Sequence, residues 1–148
     1  MTALHLATPD DAPRLLPMMA AFHREVGITL GDEARADAVA PLLAGSPLGV
    51  AYLIGPQRSP IGYVVICFGW SIELGGMDGF IDEIYIRAGV RSRGLGSEVL
   101  LSLPKALAGA GLKALHLEVR HDDARARSLY KKLHFTPRDD YSLMTRYL

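Results

Sequence analysis

Three arginines crowd one short segment of the chain, and two glycines follow them directly ahead of an apolar run. The arginines are Arg87, Arg91 and Arg93, and the glycines are Gly94 and Gly96. A helix start offers free backbone N–H groups and the positive end of the helix dipole, and glycines let an anion approach the backbone closely. The segment RSRGLGS therefore predicts an anion site at a helix start, with a solvated surface turn as the alternative.

Two common phosphate motifs fit this segment poorly. A Walker loop ends in Gly-Lys-Ser/Thr, whereas the chain has Gly96-Ser97-Glu98 and lacks the lysine. A dinucleotide fingerprint would find its ribose-binding acid in Glu118, but Val99 stands where the third small residue belongs. The residues RAGVRSR also separate the strand from the glycines, whereas that fingerprint turns at once. A dinucleotide-dependent oxidoreductase is therefore a weak alternative.

Composition narrows the class of protein. The chain has 148 residues, of which 49% are hydrophobic and 22% charged, so we expect a single globular domain over residues 1–148. A formal net charge of zero argues against binding nucleic acid by bulk electrostatics. The one cysteine, Cys67, excludes an internal disulfide framework and a multi-cysteine metal site. The segment MTALHLATPDDAPRLL does not resemble a signal peptide, and no apolar run approaches ~20 residues, so we expect a cytoplasmic protein without a membrane partner.

Hydrophobic periodicity and turn residues predict the order of elements. A strand (ALHLA) and two helices come first, followed by three hairpin-connected strands and a helix after the arginine-rich loop. Pro104 should kink or break that helix. The predicted segments are TPDDAPRLLPMMAAFHREVGI and DEARADAVAPLLAG as helices, GVAYLIG, PIGYVVICFGWSI and GFIDEIYI as strands, LGSEVLLSLPKALAGAG as a helix, KALHLEV as a strand, DDARARSLYKKLHF as a helix and DYSLMTRYL as a last strand.

Two segments carry a resemblance to a known family. IYIRAGVRSRGLGSEVL resembles the coenzyme A loop of the GNAT superfamily of N-acetyltransferases, whose signature is Arg/Gln-x-x-Gly-x-Gly/Ala after a strand. Downstream, LEVRHDDARARSLYKKLHF resembles the second motif of that family, with its A-x-x-L-Y core. The two motifs lie in the right order, separated by a helix and a strand, and the likeness covers nearly the whole chain. The matching residues are Arg91, Gly94 and Gly96 in the first motif and Ala126, Leu129 and Tyr130 in the second.

The resemblance implies an α/β (α+β) fold like that of acyl-CoA N-acyltransferases. Its central sheet would be mixed and mostly antiparallel, with helices on both faces. Acetyl-coenzyme A would lie where the strands IDEIYI and ALHLEV splay apart, with its pyrophosphate on the loop. The implied cofactor-binding residues are Ile84, Tyr85, Ile86, Arg91, Ser92, Arg93, Gly94, Leu95, Gly96, Ser97, Asp123 and Arg127.

Two residues depart from the family pattern. Asp123 stands where asparagine is common, and it can still cap its helix. His134 stands where glycine is common. It needs either a backbone that avoids positive φ or some strain to accept it.

Acetyl transfer to an amine needs a base and an acid. The acceptor ammonium, with a pKa of about 10, must lose a proton before it attacks, and a tyrosine can protonate the departing thiolate. By resemblance, Tyr130 is that acid. Family members often place the base on the strand before the loop, where this chain offers both Asp82 and Glu83.

Strand geometry bears on the choice between these two acids. Side chains alternate along a strand, so only one of them should face the acceptor. Asp82 shares parity with Ile84 and Ile86, whose backbone matches the family's contact with acetyl and pantetheine. A bulge would upset that count, so both acids stay candidates.

The acceptor pocket is less defined by sequence. Glu73, Asp78, Asp82 and Glu83 fall in a stretch without Lys or Arg, which favours a cationic acceptor if they converge. By resemblance, the first two helices and the hairpin border the pocket. Its candidate residues are Phe22, Glu25, Trp70 and Glu73.

The sequence thus predicts an N-acetyltransferase that uses acetyl-CoA and acts on a primary amine by direct attack in a ternary complex. The acceptor would be a cationic small molecule, without a nucleic-acid partner, and a homodimer would be unsurprising. The alternatives are a non-catalytic coenzyme A-binding module and a protein N-terminal or lysine acetyltransferase. We interpret Cys67 as a residue that packs in the core. We interpret His121-Asp122-Asp123 as a helix cap rather than a metal site.

Overall fold

The computed structural model describes residues 2–148. The chain forms two compact units, Met1–Leu117 and Glu118–Leu148. The first unit holds the sheet, three helices and the arginine-rich loop, and the second holds one helix and the C-terminal segment. The single domain over residues 1–148 stays a prediction.

The first unit is built on a five-stranded sheet whose strands neighbour one another in chain order. The first four strands are antiparallel to their neighbours, and the fifth runs parallel to the fourth. This confirms the mixed, mostly antiparallel sheet. The strands are β1 (Leu4–Leu6), β2 (Gly49–Ile54), β3 (Gly62–Ser71), β4 (Gly76–Ile86) and β5 (Ala114–His116).

Helices cover both faces of this sheet. They are α1 (Ala12–Val26), α2 (Asp32–Leu43) and α3 (Leu95–Gly109). The core under α1 and α2 consists of Leu15, Met18, Met19, Val39 and Leu43 against Ala51, Leu53, Tyr63, Val65 and Tyr85 of the strands. Because strand side chains alternate, the buried neighbours Val64 and Ile66 point to the opposite face. The apolar side of α3 is buried there, through Val99, Leu100, Leu103 and Leu107.

The start of α1 is fixed by a buried acid. The carboxylate of Asp11 accepts hydrogen bonds from the Thr8 backbone N–H at 2.9 Å, from the Thr8 hydroxyl and from Arg14. The Thr8 backbone bond, with smaller contributions from Arg14, lowers the pKa of Asp11. These bonds hold the short 3-10 turn Pro9–Asp11, which leads directly into α1, the helix that carries Phe22 and His23.

The helix α3 runs without a break through Pro104. Of the expected kink or local break, the break is therefore wrong, and the kink stays a prediction. Proline removes one backbone hydrogen bond, at a cost of about 3 kcal/mol. The apolar stripe is buried on both sides of Pro104, at Leu100 and Leu107, and this burial offsets that cost.

An irregularity interrupts the pairing of β3 with β4. Val65 lies opposite Glu83 and Ile66 lies opposite Ile81, so Asp82 is an extra residue on β4. Such a bulge shifts the alternation of side chains along the strand. On its other edge, β4 pairs with β5 only up to Phe80, and it then runs on to Ile86 beyond the parallel ladder.

The second unit contains α4 (Ala124–Lys132). The Asp123 carboxylate accepts a hydrogen bond from the Ala126 backbone N–H at 3.0 Å, which confirms the predicted cap. At the other end, the His134 N–H donates to the Lys131 carbonyl and the Phe135 N–H donates to the Tyr130 carbonyl. These two bonds form a Schellman motif, with the Tyr130 and Phe135 rings 6.0 Å apart as its apolar contact.

The predicted strand DYSLMTRYL is wrong, because residues 140–148 contain no strand. Their alternating apolar residues are exposed, including Tyr141, Leu143 and Tyr147. A strand needs the hydrogen bonds of a neighbouring strand, and an alternating sequence pattern does not provide that partner. The sheet of the described chain ends at β5.

The Schellman motif yields a stability prediction, because His134 has φ of 72°, in the left-handed region. That conformation costs a residue with a side chain about 1–2 kcal/mol. The substitution His134→Gly relieves this strain, partly offset by the greater freedom of glycine in the unfolded chain. We expect the free energy of unfolding to rise by roughly 0.5–1 kcal/mol, measured by urea unfolding.

A matched control is Ser128→Gly, at an exposed position inside α4. There glycine should lower the free energy of unfolding by about 0.5 kcal/mol. If both substitutions were destabilising, His134 would not occupy the left-handed conformation.

Candidate active site

The carboxylate of Glu83 lies at the centre of a buried polar network. Its Oε2 atom is 2.7 Å from Nε2 of His23, and its Oε1 atom accepts a hydrogen bond of 2.8 Å from the Tyr63 hydroxyl. The Glu83 side chain is 13% exposed and that of His23 only 4%. Both carboxylate oxygens are thus held, while a small part of the group still reaches solvent.

The two candidate acids on β4 occupy different environments. Asp82 is the bulged residue and is exposed, whereas Glu83 is turned toward α1 and joined to His23. The bulge removes the basis of the parity count that related Asp82 to Ile84 and Ile86. The geometry therefore favours Glu83 over Asp82 as the acid that a buried acceptor would meet.

The imidazole of His23 has a second polar neighbour on α2. Nε of Arg35 donates to Nδ1 of His23 at 3.1 Å. The guanidinium also donates to the Asp32 carboxylate at 2.8 Å and to the Leu30 carbonyl at 2.6 Å. Arg35 is buried, and these bonds satisfy its charge in that position.

Sequence reasoning missed His23, Tyr63 and Arg35. A usable indication was present for His23, which lies four residues after Met19 and eight after Leu15 on the apolar side of α1. A polar side chain on such a side requires a hydrogen-bond partner in the core. No comparable pattern identifies Arg35, which looks like any charged residue of a short helix.

Tyr63 is a permanent donor to Glu83. Burial, together with the negative charge of Glu83, raises the pKa of Tyr63 far above its ordinary value. Its hydroxyl therefore keeps its proton throughout the working pH range. The Tyr63 ring lies in an aromatic cluster, 6.3 Å from Phe22 and 6.0 Å from Tyr85. Phe22, a predicted pocket residue, thus lies beside the Glu83 network.

Arg91 and Glu25, one predicted to bind the cofactor and the other the acceptor, contact each other. Nη2 of Arg91 is 2.8 Å from both carboxylate oxygens of Glu25, and its Nε donates to the Ile86 carbonyl at 2.7 Å. The guanidinium also lies 5.4 Å from the centre of the Tyr85 ring. The arginine-rich loop is in this way joined to the end of α1 and to β4.

The loop leads into α3 with the geometry that an anion site needs. Gly94 precedes the first helical residue, Leu95, and has φ of 75°. A Cβ atom built at Gly94 or Gly96 would meet nothing within 4 Å, so this side of the loop is open. The first N–H groups of a helix lack intrahelical acceptors. Together with the arginines, they form a donor set that fits a pyrophosphate.

The neighbouring residues of the loop complete the predicted cofactor set. Ser92, with φ of 64°, and Arg93 are exposed, while Ser97 lies in the first turn of α3 and is half-buried. Glu98 in the same turn is held by Thr2, whose N–H and hydroxyl donate to its carboxylate at 3.0 and 2.7 Å. These bonds lower the pKa of Glu98. The predicted backbone contacts Ile84, Tyr85 and Ile86 form the end of β4, opposite Val64, Tyr63 and Gly62.

The second unit carries three predicted site residues. Tyr130 lies on α4, and burial, with a smaller effect of the Asp123 charge, raises its pKa. Its phenol therefore keeps its proton at neutral pH. Asp123 caps the helix, and Arg127 donates to the Asp139 carboxylate at 3.1 Å.

Two predicted pocket residues are not near Glu83. Trp70, which is 71% exposed, and Glu73 lie at the end of the β3–β4 hairpin, where Trp70 is opposite Met77. Val65, opposite Glu83, is five residues away from Trp70 on β3, a separation of about 17 Å. The roles of Trp70 and Glu73 stay predictions.

The sequence predicts structural roles for Cys67 and for His121-Asp122-Asp123. Burial raises the pKa of the Cys67 thiol, which disfavours the nucleophilic thiolate.

Among residues 2–148, no group of three or more His, Cys, Asp or Glu side chains is arranged to hold a metal ion. Within the same residues, none of the helices has the length and apolar character to cross a membrane.

Comparison with known proteins bears on this arrangement. The family model described as the acetyltransferase (GNAT) family matches residues 19–135. A proposed acetyltransferase from Arthrobacter sp. FB24 is 30% identical, with a TM-score of 0.78 and coverage of 99% of this chain and 94% of that chain. No curated protein matches the sequence significantly.

Two more distant structures share the fold. A proposed acetyltransferase with acetyl-CoA from Clostridium acetobutylicum is 19% identical, with a TM-score of 0.76 and coverage of 98% of this chain and 96% of that chain. An aminoglycoside acetyltransferase from an uncultured soil metagenomic sample, in complex with sisomicin, is 10% identical. Its TM-score is 0.79, and the alignment covers 99% of this chain and 96% of that chain.

The family model includes both motifs on which the resemblance was based, and the five-stranded mixed sheet matches the solved acetyltransferases. The open loop at the start of α3 has the donors that a coenzyme A pyrophosphate requires. The chain therefore belongs to the GNAT family of acetyltransferases, whose acetyl donor is acetyl-CoA.

Proposed function

We propose that the protein is an N-acetyltransferase that moves the acetyl group of acetyl-CoA to a primary amine, with a cationic small molecule as acceptor. One observation carries the proposal. The Glu83 carboxylate sits at the bulge of β4 with both oxygens hydrogen-bonded, on the strand that leads into the loop at the start of α3. A fixed and partly exposed carboxylate in that position suits an ammonium group.

Glu83 acts as the base in this proposal. Each oxygen of an ionised carboxylate has more than one lone pair, so it can accept from His23 or Tyr63 and still accept from an ammonium. Burial of the ammonium lowers its pKa from about 10 and eases transfer of its proton to Glu83, directly or through one water. The free amine then attacks.

Acetyl-CoA, when bound, supplies a thioester carbonyl that the amine can attack. The residues that would hold its pyrophosphate are Arg91, Arg93, Gly94 and Gly96. Arg91 can exchange Glu25 for a phosphate at little cost, because both side chains are about 40% exposed and exposed ion pairs contribute ~0–1 kcal/mol. By resemblance to the family, Tyr130, which stays protonated because its pKa is raised, would be the acid that gives a proton to the coenzyme A thiolate.

Direct transfer to the amine is favoured over a route through the enzyme's own thiol, since the Cys67 thiol is partly buried with a raised pKa.

The charges near Glu83 favour a cationic acceptor. Glu83 and the exposed Asp82 are adjacent residues on β4, while the two arginines joined to this region, Arg35 and Arg91, are already paired with Asp32 and Glu25. Phe22 adds an aromatic surface of the kind that alkylammonium groups contact.

The choice of base is tested with Glu83→Gln and Asp82→Asn, two changes of one charge on adjacent residues. If Glu83 is the base, Glu83→Gln lowers kcat by roughly 10²–10⁴-fold, while Asp82→Asn stays within a few-fold of the unmodified enzyme. The measurement is coenzyme A release across a panel of polyamines, aminoglycosides, amino acids and peptides. A large loss in Asp82→Asn alone would assign the base to Asp82.

The role of Tyr130 is tested with Tyr130→Phe, which keeps the ring that packs on Phe135. Loss of the acid should lower kcat by roughly 10²-fold or more, while the dissociation constant of acetyl-CoA stays unchanged. Tyr141→Phe, at an exposed position, serves as the control. Binding without turnover by the unmodified protein, across the whole panel, would instead support a non-catalytic coenzyme A-binding module.

The cofactor loop is tested with Gly94→Ala, because an alanine at φ of 75° is strained. The loop would relax to another conformation in the free protein. Restoring the binding conformation would cost about 1–2 kcal/mol of binding free energy, so the dissociation constant of acetyl-CoA should rise roughly tenfold. Calorimetric titration measures this. The control, Gly109→Ala at the other end of α3, also adds a methyl group in open space and should not change binding. Equal affinities of the two variants would contradict the loop assignment.

A further inference from the structure

We propose that Arg35 and His23 are positioning residues that act on Glu83. Arg35 selects the tautomer of His23 that donates a hydrogen bond to Glu83, and this bond holds the carboxylate in place. The proposal rests on the proposed function of Glu83 as the base. It assigns a role to a charged residue on α2 that lies in neither of the two family motifs.

The tautomer follows from which atoms can donate. A guanidinium has donors and no acceptor, so the Nε–H of Arg35 can only donate to Nδ1 of His23, 3.1 Å away. Nδ1 must then carry a lone pair. In a neutral imidazole with an unprotonated Nδ1, the proton lies on Nε2, which is 2.7 Å from Oε2 of Glu83. His23 therefore donates to Glu83, and this bond fixes the position of the carboxylate oxygen Oε2.

Arg35 is itself held rigidly, which makes its choice of tautomer stable. Only 6% of its surface is exposed, and its other nitrogens donate to Asp32 at 2.8 Å and to the Leu30 carbonyl at 2.6 Å. The network thus runs from the start of α2 through α1 to β4. Tyr63 on β3 holds the second oxygen of Glu83. Because each oxygen accepts one of these hydrogen bonds, each keeps a lone pair that an ammonium can use.

The opposite tautomer would reverse this effect. If Nδ1 carried the proton, Nε2 would present a lone pair to the Glu83 carboxylate, and two acceptors would face each other at 2.7 Å. Glu83 would then have to take up a proton or rotate away, and in both cases it would lose its function as a base. Arg35 prevents this by occupying Nδ1.

The first test is the tautomer itself, read from the imidazole nitrogen NMR signals of protein labelled with ¹⁵N-histidine. The His23 signals are assigned as those missing in His23→Gln. We expect His23 to be neutral, with the proton on Nε2, and Arg35→Met to give a mixture of tautomers. A cationic His23, or one with the proton on Nδ1 in the unmodified protein, would overturn the proposal.

The second test is catalytic. Arg35→Met and His23→Leu should each lower kcat on the order of tenfold or more, with the KM for acetyl-CoA unchanged. His23→Gln should recover much of the loss, because its amide can accept from Arg35 and donate to Glu83. The control is Asp37→Asn, which removes an exposed acid from the same helix, α2, and lies outside this network. Its kcat should stay at the unmodified level.

A purely structural role predicts other results. In that case melting temperatures would fall in Arg35→Met and His23→Leu, while kcat of the folded fraction would stay within twofold, and this would overturn the proposal. If Arg35→Met does not fold, the tautomer of the unmodified protein and the recovery in His23→Gln still decide. If the proton lies on Nε2 but the Glu83→Gln enzyme keeps its activity, only the proposed function of Glu83 is refuted.

Discussion

The rest of the structure depends on one buried carboxylate and its two donors. Glu83 would be costly to place beside the apolar core, because burial of an unpaired charge costs several kcal/mol. His23 and Tyr63 remove that cost by donating to both of its oxygens. These donors come from α1 and β3, and Arg35 extends the network to α2. One side chain therefore joins two helices and two strands of the first unit.

The bulge in β4 explains how this acid and the cofactor loop belong to one strand. The extra residue, Asp82, turns Glu83 toward α1, while the following residues continue to Ile86 beyond the ladder with β5. The chain then passes through the arginine-rich loop into α3. Arg91 joins this loop to α1 and to the end of β4, because it donates to the Glu25 carboxylate and to the Ile86 carbonyl. Glu83 and the arginine-rich loop are thus positioned by a short segment of backbone that contacts α1 at both ends, through His23 and through Glu25.

Much of the fold could be predicted from the sequence, because its signals are local. The helices and the five strands of the sheet follow from periodicity and turns, and Gly94 and Gly96 mark the loop because only local backbone geometry is needed there. The choice between Asp82 and Glu83 could not be settled, because a bulge is a property of the pairing with β3. The His23–Glu83 contact joins residues 60 positions apart, so the sequence indicates that His23 needs a buried partner but does not identify Glu83 as that partner. The prediction of a last strand is wrong for the same reason. Its alternating pattern is local, whereas a strand also needs a pairing strand from elsewhere in the chain.

The most direct measurement of the central claim is a crystal structure of the protein with coenzyme A and a cationic amine that the activity panel identifies. The account predicts that the amine nitrogen lies within about 2.7–3.2 Å of a Glu83 carboxylate oxygen, or one water molecule away, with His23 and Tyr63 still bonded to that carboxylate. An amine bound to Asp82, or a Glu83 carboxylate that faces no acceptor, would contradict it.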